Sequence, residues 1–296
     1  MKKNLVLSIF ILCSSVLIAQ PKVVNTAEVV IVPFDNGLVM NPSWSPDGKL
    51  IAFTFEKHEG IWISDSNGDN IRELSSDKGA GFGYSWSHDS KKIVARTVSK
   101  IDGRRYHNIK VYDVNTMEEK VLFSERRDLK GLPQWSEDGS RVTIDTESGV
   151  KSVALRDDSL KSSILEEVED FDFPEFEGRY IFNRRLSPDR SSTVFQVSGK
   201  GLYIANSDGS DLRYLGLGEQ AAWMPCGDYI IVTIVDDDGK VITAADLYSV
   251  DVKTGDYSSL FEDESFLSLN PHVSADGAYL LFDNPQDGSI YRLELN

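Results

Sequence analysis

One pentapeptide pattern recurs six times along this 296-residue chain, and it constrains the fold more than any other feature. It reads Trp44-Ser45-Pro46-Asp47-Gly48, Trp86-Ser87-His88-Asp89-Ser90 and Trp135-Ser136-Glu137-Asp138-Gly139. Looser copies are Leu186-Ser187-Pro188-Asp189-Arg190, Trp223-Met224-Pro225-Cys226-Gly227 and Val273-Ser274-Ala275-Asp276-Gly277. Successive first residues are 42, 49, 51, 37 and 50 positions apart. A strand-rich unit repeating every 40–50 residues or so points to a β-propeller rather than a stack of helical repeats.

The first repeat shows what one unit contains. Asn41 to Trp44 reads as a short strand, and Pro46-Asp47-Gly48 as a tight turn in which Pro presets φ and Gly accepts positive φ. Leu50 to Phe55 is a mostly apolar run of strand length, as expected for a strand buried on both faces. Ile61-Trp62-Ile63 begins a third strand, Asn67-Gly68 signals a hairpin, and Ile71 to Leu74 is a more polar fourth strand. The fourth repeat follows the same order, with Ser192–Val197, Gly201–Ala205, an Asp208-Gly209 turn and Leu212–Leu215. The expected fold is therefore all-β: a six-bladed propeller of four-stranded antiparallel blades. A Trp repeated at one position in four of the six units reads as packing between blades.

The last repeat supplies Val273, Tyr279–Phe282 and Ile290–Leu295, one strand short of a blade. Glu28–Val32 precedes the first repeat and has no blade of its own. Pairing it as the outer strand of the last blade closes the ring and removes an open edge.

A Trp-Ser-Pro-Asp-Gly turn followed by Ile51-Ala52-Phe53 resembles the repeat of the TolB-type propeller family, and the resemblance spans residues 27–296. It implies the propeller fold and, less specifically, a role in the bacterial envelope. The family's namesake carries an α/β domain ahead of its propeller. The first repeat here begins near Asn41, so that domain is not expected.

The N-terminus reads as an export signal over residues 1–19. Lys2-Lys3 precede the apolar stretch Leu5–Ile18, and Ala19 offers a cleavage point before Gln20. The apolar stretch is short for a membrane span. Cys13 raises lipidation as an alternative, but the large Leu12 before it and the apolar residues after it argue against that. Cleavage would leave Cys226 as the only cysteine, so no intramolecular disulfide is expected. The remaining residues 20–296 are expected to form one propeller domain, a periplasmic or secreted monomer. The formal charge of −16 would become −18, because Lys2 and Lys3 leave and no acid does. That argues against nucleic acid and anionic membrane surfaces as partners, and fits solubility outside the cytoplasm.

In a propeller the turns between strands one and two, and three and four, share a lower face. The loops between strands two and three and the inter-blade connections share the top. The short Pro-Asp-Gly and Asn-Gly turns thus fall below. The irregular stretches Lys57–Glu59, Ser99–His107, Glu166–Gly178 and Asp236–Gly239 fall on top, where binding usually resides. Three residues before each repeat's first residue stand Asn41, Gly83, Leu132, Asn183, Gln220 and Asn270. Just before it stand Ser43, Ser85, Gln134, Arg185, Ala222 and His272. With Tyr84, these outline a polar collar at the channel mouth, and Arg184 and Arg185 give it strong positive charge. The collar reads either as a pocket for an anionic group, such as a peptide carboxylate or acidic sugar, or as water-filled lining that caps inner-strand ends.

His88 falls in a lower turn, whereas His58, His107 and His272 map to the top of blades 1, 2 and 6. Those three are the only candidate metal set, without any close-spaced His or Cys pair in support. Asp65–Asp69 and Asp236–Asp238 resemble calcium loops, but the first lacks the spacing and terminal Glu and reads as a hairpin turn. The Glu166–Phe173 stretch reads as a docking segment or as a connection anchored by its phenylalanines.

Two functions remain open. The first is a non-enzymatic envelope propeller that holds a protein or peptide partner on its top face, without catalytic residues or cofactor. The alternative is a metal-dependent sugar-acid lyase, since a similar propeller occurs in oligogalacturonide lyases, which use a histidine-bound metal. A peptidase propeller is disfavoured, because no Gly-x-Ser-x-Gly elbow is present.

Overall fold

The computed structural model describes residues 19–34, 37–136, 138–146, 149–155, 166–167, 173–261 and 267–296, with only the backbone at 149, 166 and 167. Residues 1–18, where the export signal is expected, Cys13 among them, and much of the acidic stretch after Glu166 lie outside the described residues. Six four-stranded antiparallel sheets form the six expected blades. Blade 1 runs outward through Val39–Trp44, Leu50–Phe55, Glu59–Asp65 and Arg72–Lys78. Blade 2 uses Tyr84–Trp86, Lys92–Ile101, Arg104–Asp113 and Glu119–Arg126. Blade 3 uses Gln134–Trp135, Arg141–Thr146, Gly149–Ala154 and Glu166–Glu167. Blade 4 uses Ile181–Leu186, Ser192–Val197, Gly201–Asn206 and Arg213–Gly216. Blade 5 uses Glu219–Trp223, Tyr229–Asp237, Ile242–Asp251 and Tyr257–Ser259.

Blade 6 combines Leu269–Val273, Tyr279–Asn284 and Ser289–Glu294 with Glu28–Ile31 as its outer strand. Glu28 pairs with Arg292, Val29 with Tyr291 and Ile31 with Ile290, so the ring closes as the orphan strand suggested. The seam is reinforced on both sides. Val24 N–H donates to Glu294 O at 2.9 Å, and Arg292 meets the Glu28 carboxylate at 2.7 Å. Ile31 is buried among Val39, Trp44, Ile51 and Leu281, and so ties blade 6 to blade 1.

The recurring pentapeptide is a self-capped turn. Ser45 Oγ donates to Asp47 Oδ1 at 2.8 Å and accepts the Leu50 N–H at 2.9 Å, while Asp47 Oδ1 also accepts the Lys49 N–H. Ser87 and Asp89, Ser136 and Asp138, Ser187 and Asp189, and Ser274 and Asp276 repeat the Ser-to-Asp hydrogen bond. These bonds hold every one of those carboxyls below the ordinary range, against whatever burial each suffers. Asp65 likewise closes a hairpin by accepting the Asn67 and Asp69 N–H groups, each at 3.0 Å.

The core lies between blades. Ile61, Ile63 and Leu74 of blade 1 pack on Trp86, Ile93 and Tyr112 of blade 2, and the pattern repeats around the ring. Trp44, Trp86 and Trp135 are buried, and Trp223 is half-buried. Three of them also reach the preceding blade by hydrogen bond. Trp86 Nε1 donates to Ser43 O (3.4 Å), Trp135 to Ser85 O (2.9 Å) and Trp223 to Arg185 O (2.9 Å). Phe173 and Phe176 anchor the end of the acidic connection on blade 4, with ring centroids 4.9 Å from Phe195 and 4.7 Å from Tyr203 respectively.

Candidate functional site: the central channel

The six innermost strands surround a channel of about 840 Å³ that runs from Asn41, Gln220 and Asn270 at the top to Pro46 and Pro188 in the lower turns. Its volume is in the range of ligand sites. Among the described residues no Asp or Glu lines it, although the chain carries a formal −16. Arg184, Arg185, Arg190 and three histidines do.

The amide collar is built by the backbone. Asn41, Asn183, Gln220 and Asn270 have φ of 54°, 53°, 55° and 53°, each at a bulge where the inner strand slips against the second. A non-glycine residue in the left-handed region is most often Asn, whose short amide bonds locally. Here the amides instead bond to a neighbouring blade, to an inter-blade connection or to the second strand of their own blade. Gln220 Nε2 donates to Asn270 Oδ1 at 2.6 Å, and Asn270 N–H donates to Gln220 Oε1 at 2.8 Å. Asn41 Nδ2 donates to Gly81 O at 2.9 Å, and Asn183 Nδ2 to Gln196 Oε1 at 2.6 Å. Tyr84 donates its hydroxyl proton to Asn41 O at 2.6 Å, and burial, with the Asp283 charge second, lifts its pKa well above the usual value. Gln134 Nε2 donates to Arg184 O at 3.2 Å.

Two residues absent from the sequence reading complete this belt. Asp283 Oδ1 accepts the Asn41 N–H and Asn270 Nδ2, both at 2.8 Å, and so joins blade 6 to blade 1. Gln196 Oε1 plays the same part between Asn183 and the Gln220 N–H. A signal for them exists. Ten residues after each repeat's first residue stand Thr54, Arg96, Asp145, Gln196, Thr233 and Asp283, every one polar. Asp283 is 1% exposed, and its Oδ2 has no hydrogen-bond partner. Burial raises its pKa to about 7, against the pull of the Asn270 and Asn41 hydrogen bonds.

Arg185 and His272 come together in the channel. Burial lowers the His272 pKa to about 4, and the nearby Arg185 charge adds to the effect. Trp44 N–H donates to His272 Nδ1 at 3.3 Å, which leaves the proton on Nε2, 3.1 Å from Ser43 Oγ. Both ring nitrogens are therefore committed. Arg185 is water-exposed inside the channel, yet protein surrounds it closely enough for desolvation to lower its pKa. Its guanidinium donates to Arg184 O at 3.3 Å, and no carboxylate among the described residues pairs with it. Asp189, four residues further along the chain, is held by Ser187 and Ser191, and most of the acidic 166–177 insertion, the other source of a counter-charge, lies outside the described residues.

The metal set is not assembled. Among the described residues no three His, Cys, Asp or Glu side chains gather as a potential metal cluster, and His58 and His107 share a separate small cavity that His272 does not line. His88 is exposed in a lower turn, as expected.

No protein-family model matches the chain, and no curated protein is similar to it in sequence. Solved structures are similar in fold. The chain is similar to TolB from Acinetobacter baumannii, at 17% identity and a TM-score of 0.53 over 89% of this chain, but it spans only 65% of that protein. It is similar to an oligogalacturonate lyase from Vibrio parahaemolyticus, at 13% identity and a TM-score of 0.55 over 93% of this chain and 98% of that one. An oligogalacturonate lyase in complex with manganese is similar at 14% identity and a TM-score of 0.53, over 94% and 99% of the two chains. At these identities the likeness establishes the shared propeller fold. No helix among the described residues is long and apolar enough to cross a membrane.

Proposed function

We propose that this propeller is a non-enzymatic binding protein of the bacterial envelope, exported by residues 1–19, that holds a protein or peptide partner on its top face through an acidic group seated in the channel. The observation that carries this reading is the Arg185 guanidinium, which no carboxylate among the described residues pairs, in a channel that none of the described acids lines, within a strongly acidic chain. A desolvated Arg without a counter-charge is poised for a carboxylate, and its planar fork accepts one bidentately. The amides serve this site from behind. Bonded to one another and to Asp283 and Gln196, they hold the inner strands, and Arg184 and Arg185 with them, in place. Exposed apolar side chains on top-face segments, including Phe82, Tyr180, Phe182, Leu217 and Val241, support a macromolecular partner over a small solute.

The alternative of a sugar-acid lyase draws on the shared fold with oligogalacturonate lyases and on the cationic channel, which also suits an acidic sugar. The histidines do not fit the metal that chemistry would need. His272 has both nitrogens engaged, and although His58 also borders the channel, His107 lines the neighbouring cavity and not the channel. Affinity capture from envelope extracts by the wild type and by the Arg184→Ala/Arg185→Ala variant, with quantitative mass spectrometry, tests the first reading. A partner enriched by the wild type and depleted by the variant supports it. Incubation with oligogalacturonate and manganese tests the second, and unsaturated product would establish it at the expense of the first.

A further inference from the structure

A smaller cavity of about 90 Å³ opens beside the channel mouth, between blades 1 and 2. Its walls include Lys57, His58, Phe82, Arg96, Arg105 and His107. His58 and Phe82 also line the channel, so the two spaces share a wall formed by this edge-on pair, 5.1 Å between ring centroids. Three of the described lining side chains are Lys or Arg, two are imidazoles, and no carboxylate is among them. The carboxylates of the neighbouring outer strand and loop are committed elsewhere. Asp77 binds Lys110 at 2.9 Å and the Tyr112 hydroxyl at 2.6 Å, and Asp128 takes Arg126 Nε at 2.7 Å. Glu56 and Glu59, which flank His58, and Glu125, near His107, are exposed to solvent.

Among the described residues that line the cavity, none supplies a negative charge. Desolvation lowers the Arg96 pKa and the Arg105 charge adds to it. Desolvation, then Arg96 and Arg105, lower that of His107, with only a Thr97 backbone contact opposing them. His58 is lowered by burial alone. The Nδ1 atoms of His58 and His107 are both enclosed without a hydrogen-bond partner. Two further features preorganise the space. Arg96 is fixed by donation to Gly131 O at 2.7 Å and lies over the Phe82 ring at 5.8 Å. Lys57 and His58 are consecutive left-handed non-glycine residues, with φ of 66° and 56°, a strained turn that places His58 in the wall.

We propose that this cavity is a binding site for a tetrahedral oxyanion, a phosphate or sulfate, either free or as an ester on a larger ligand. Its volume exceeds what one water needs. Such an anion would neutralise the facing cations and accept from guanidinium and imidazole N–H groups in charge-assisted hydrogen bonds. The proposal is independent of the partner proposed for the channel.

The test is calorimetric and NMR titration of the full chain with inorganic sulfate, inorganic phosphate and acetate, at constant ionic strength in sodium chloride. Saturable sulfate or phosphate binding with a Kd of about 1 mM or tighter is expected, with the His58 and His107 ring resonances moving together. Arg105→Gln and His107→Gln should each weaken it about tenfold, while Arg184→Ala/Arg185→Ala leaves it unchanged. Thermal melts confirm folding of each variant, and Lys57→Gln, on an exposed side chain, is a third reporter. Absence of saturation by either tetrahedral anion would overturn the proposal. So would acetate binding equally well, or loss of binding in the channel variant with retention in the Arg105 and His107 variants.

Discussion

Replacing Asp283 by Asn should stabilise the protein, and by an amount that grows with pH. The carboxyl is enclosed behind the amide collar, accepts two hydrogen bonds through Oδ1 and offers Oδ2 to nothing. Its folded pKa is raised to about 7, against about 3.9 in an unfolded chain. A group whose folded pKa is raised leaves the fold unpenalised below the unfolded value, and stability falls as pH rises towards the folded one. The penalty grows by about 1.4 kcal/mol per pH unit across that window. It amounts to about 1.5 kcal/mol at pH 5 and about 4 kcal/mol at pH 8. Asn mimics the protonated acid, because its Oδ1 keeps both donors and its Nδ2 replaces the unpartnered Oδ2. Urea denaturation of wild type and Asp283→Asn at pH 5 and pH 8 reads the difference. Comparison at each pH also removes His272, whose folded pKa of about 4 works in the opposite sense. Its neutral ring stabilises above about pH 6.5, and that contribution is lost as pH falls towards 4. A difference that stays constant with pH, or a variant less stable than wild type at pH 8, would refute the assignment of Asp283 as a buried, neutral acid at low pH.

Deleting residues 20–33 should lower the melting temperature by many degrees, since it removes the outer strand of blade 6 and uncovers Ile31's neighbours; an unchanged melt would contradict closure by this strand. Ile31→Ala alone should cost about 2–5 kcal/mol in chemical denaturation, the usual range for a fully buried Ile. Gly68→Ala should also weaken the seam, because its Cβ would lie 2.0 Å from Val30 O and φ there is +83°; a variant as stable as wild type would show that the turn moves away freely. Mass spectrometry of the exported protein should find it beginning near Gln20, and an intact N-terminus or a lipid on Cys13 would contradict export by cleavage.

Blade number, strand order and ring closure were legible because each depends on local chemistry that repeats. The Ser-x-Asp turn is closed by bonds within six residues, and Glu28–Val32, of which Glu28–Ile31 forms the strand, is conspicuous as a mostly apolar stretch without a blade of its own. The positions of the channel residues were legible for the same reason, since a collar at fixed spacing from a repeated turn must line one ring. What the amides bond was not legible. Asn41 and Asp283 are 242 positions apart, and only ring closure brings them together. The polar residue ten positions after each repeat's start marks this belt, but it gains meaning only once neighbouring blades are set side by side. The histidines show the limit of topology without depth. His58, His107 and His272 share a face, yet His107 lines only the small cavity, His58 stands in the wall between the two spaces, and His272 is locked by Trp44 and Ser43 in the channel.

The central claim is that the channel, through Arg185, holds the partner's acidic group. It is tested most directly by titrating the purified partner against wild type, Arg185→Ala and Arg184→Ala/Arg185→Ala. Each charge-assisted hydrogen bond to a carboxylate contributes about 1.5–3 kcal/mol, so Arg185→Ala should weaken binding about tenfold or more with the fold intact. Unchanged affinity in the double variant would contradict the claim and move the site to the outer loops around Tyr106 and His107.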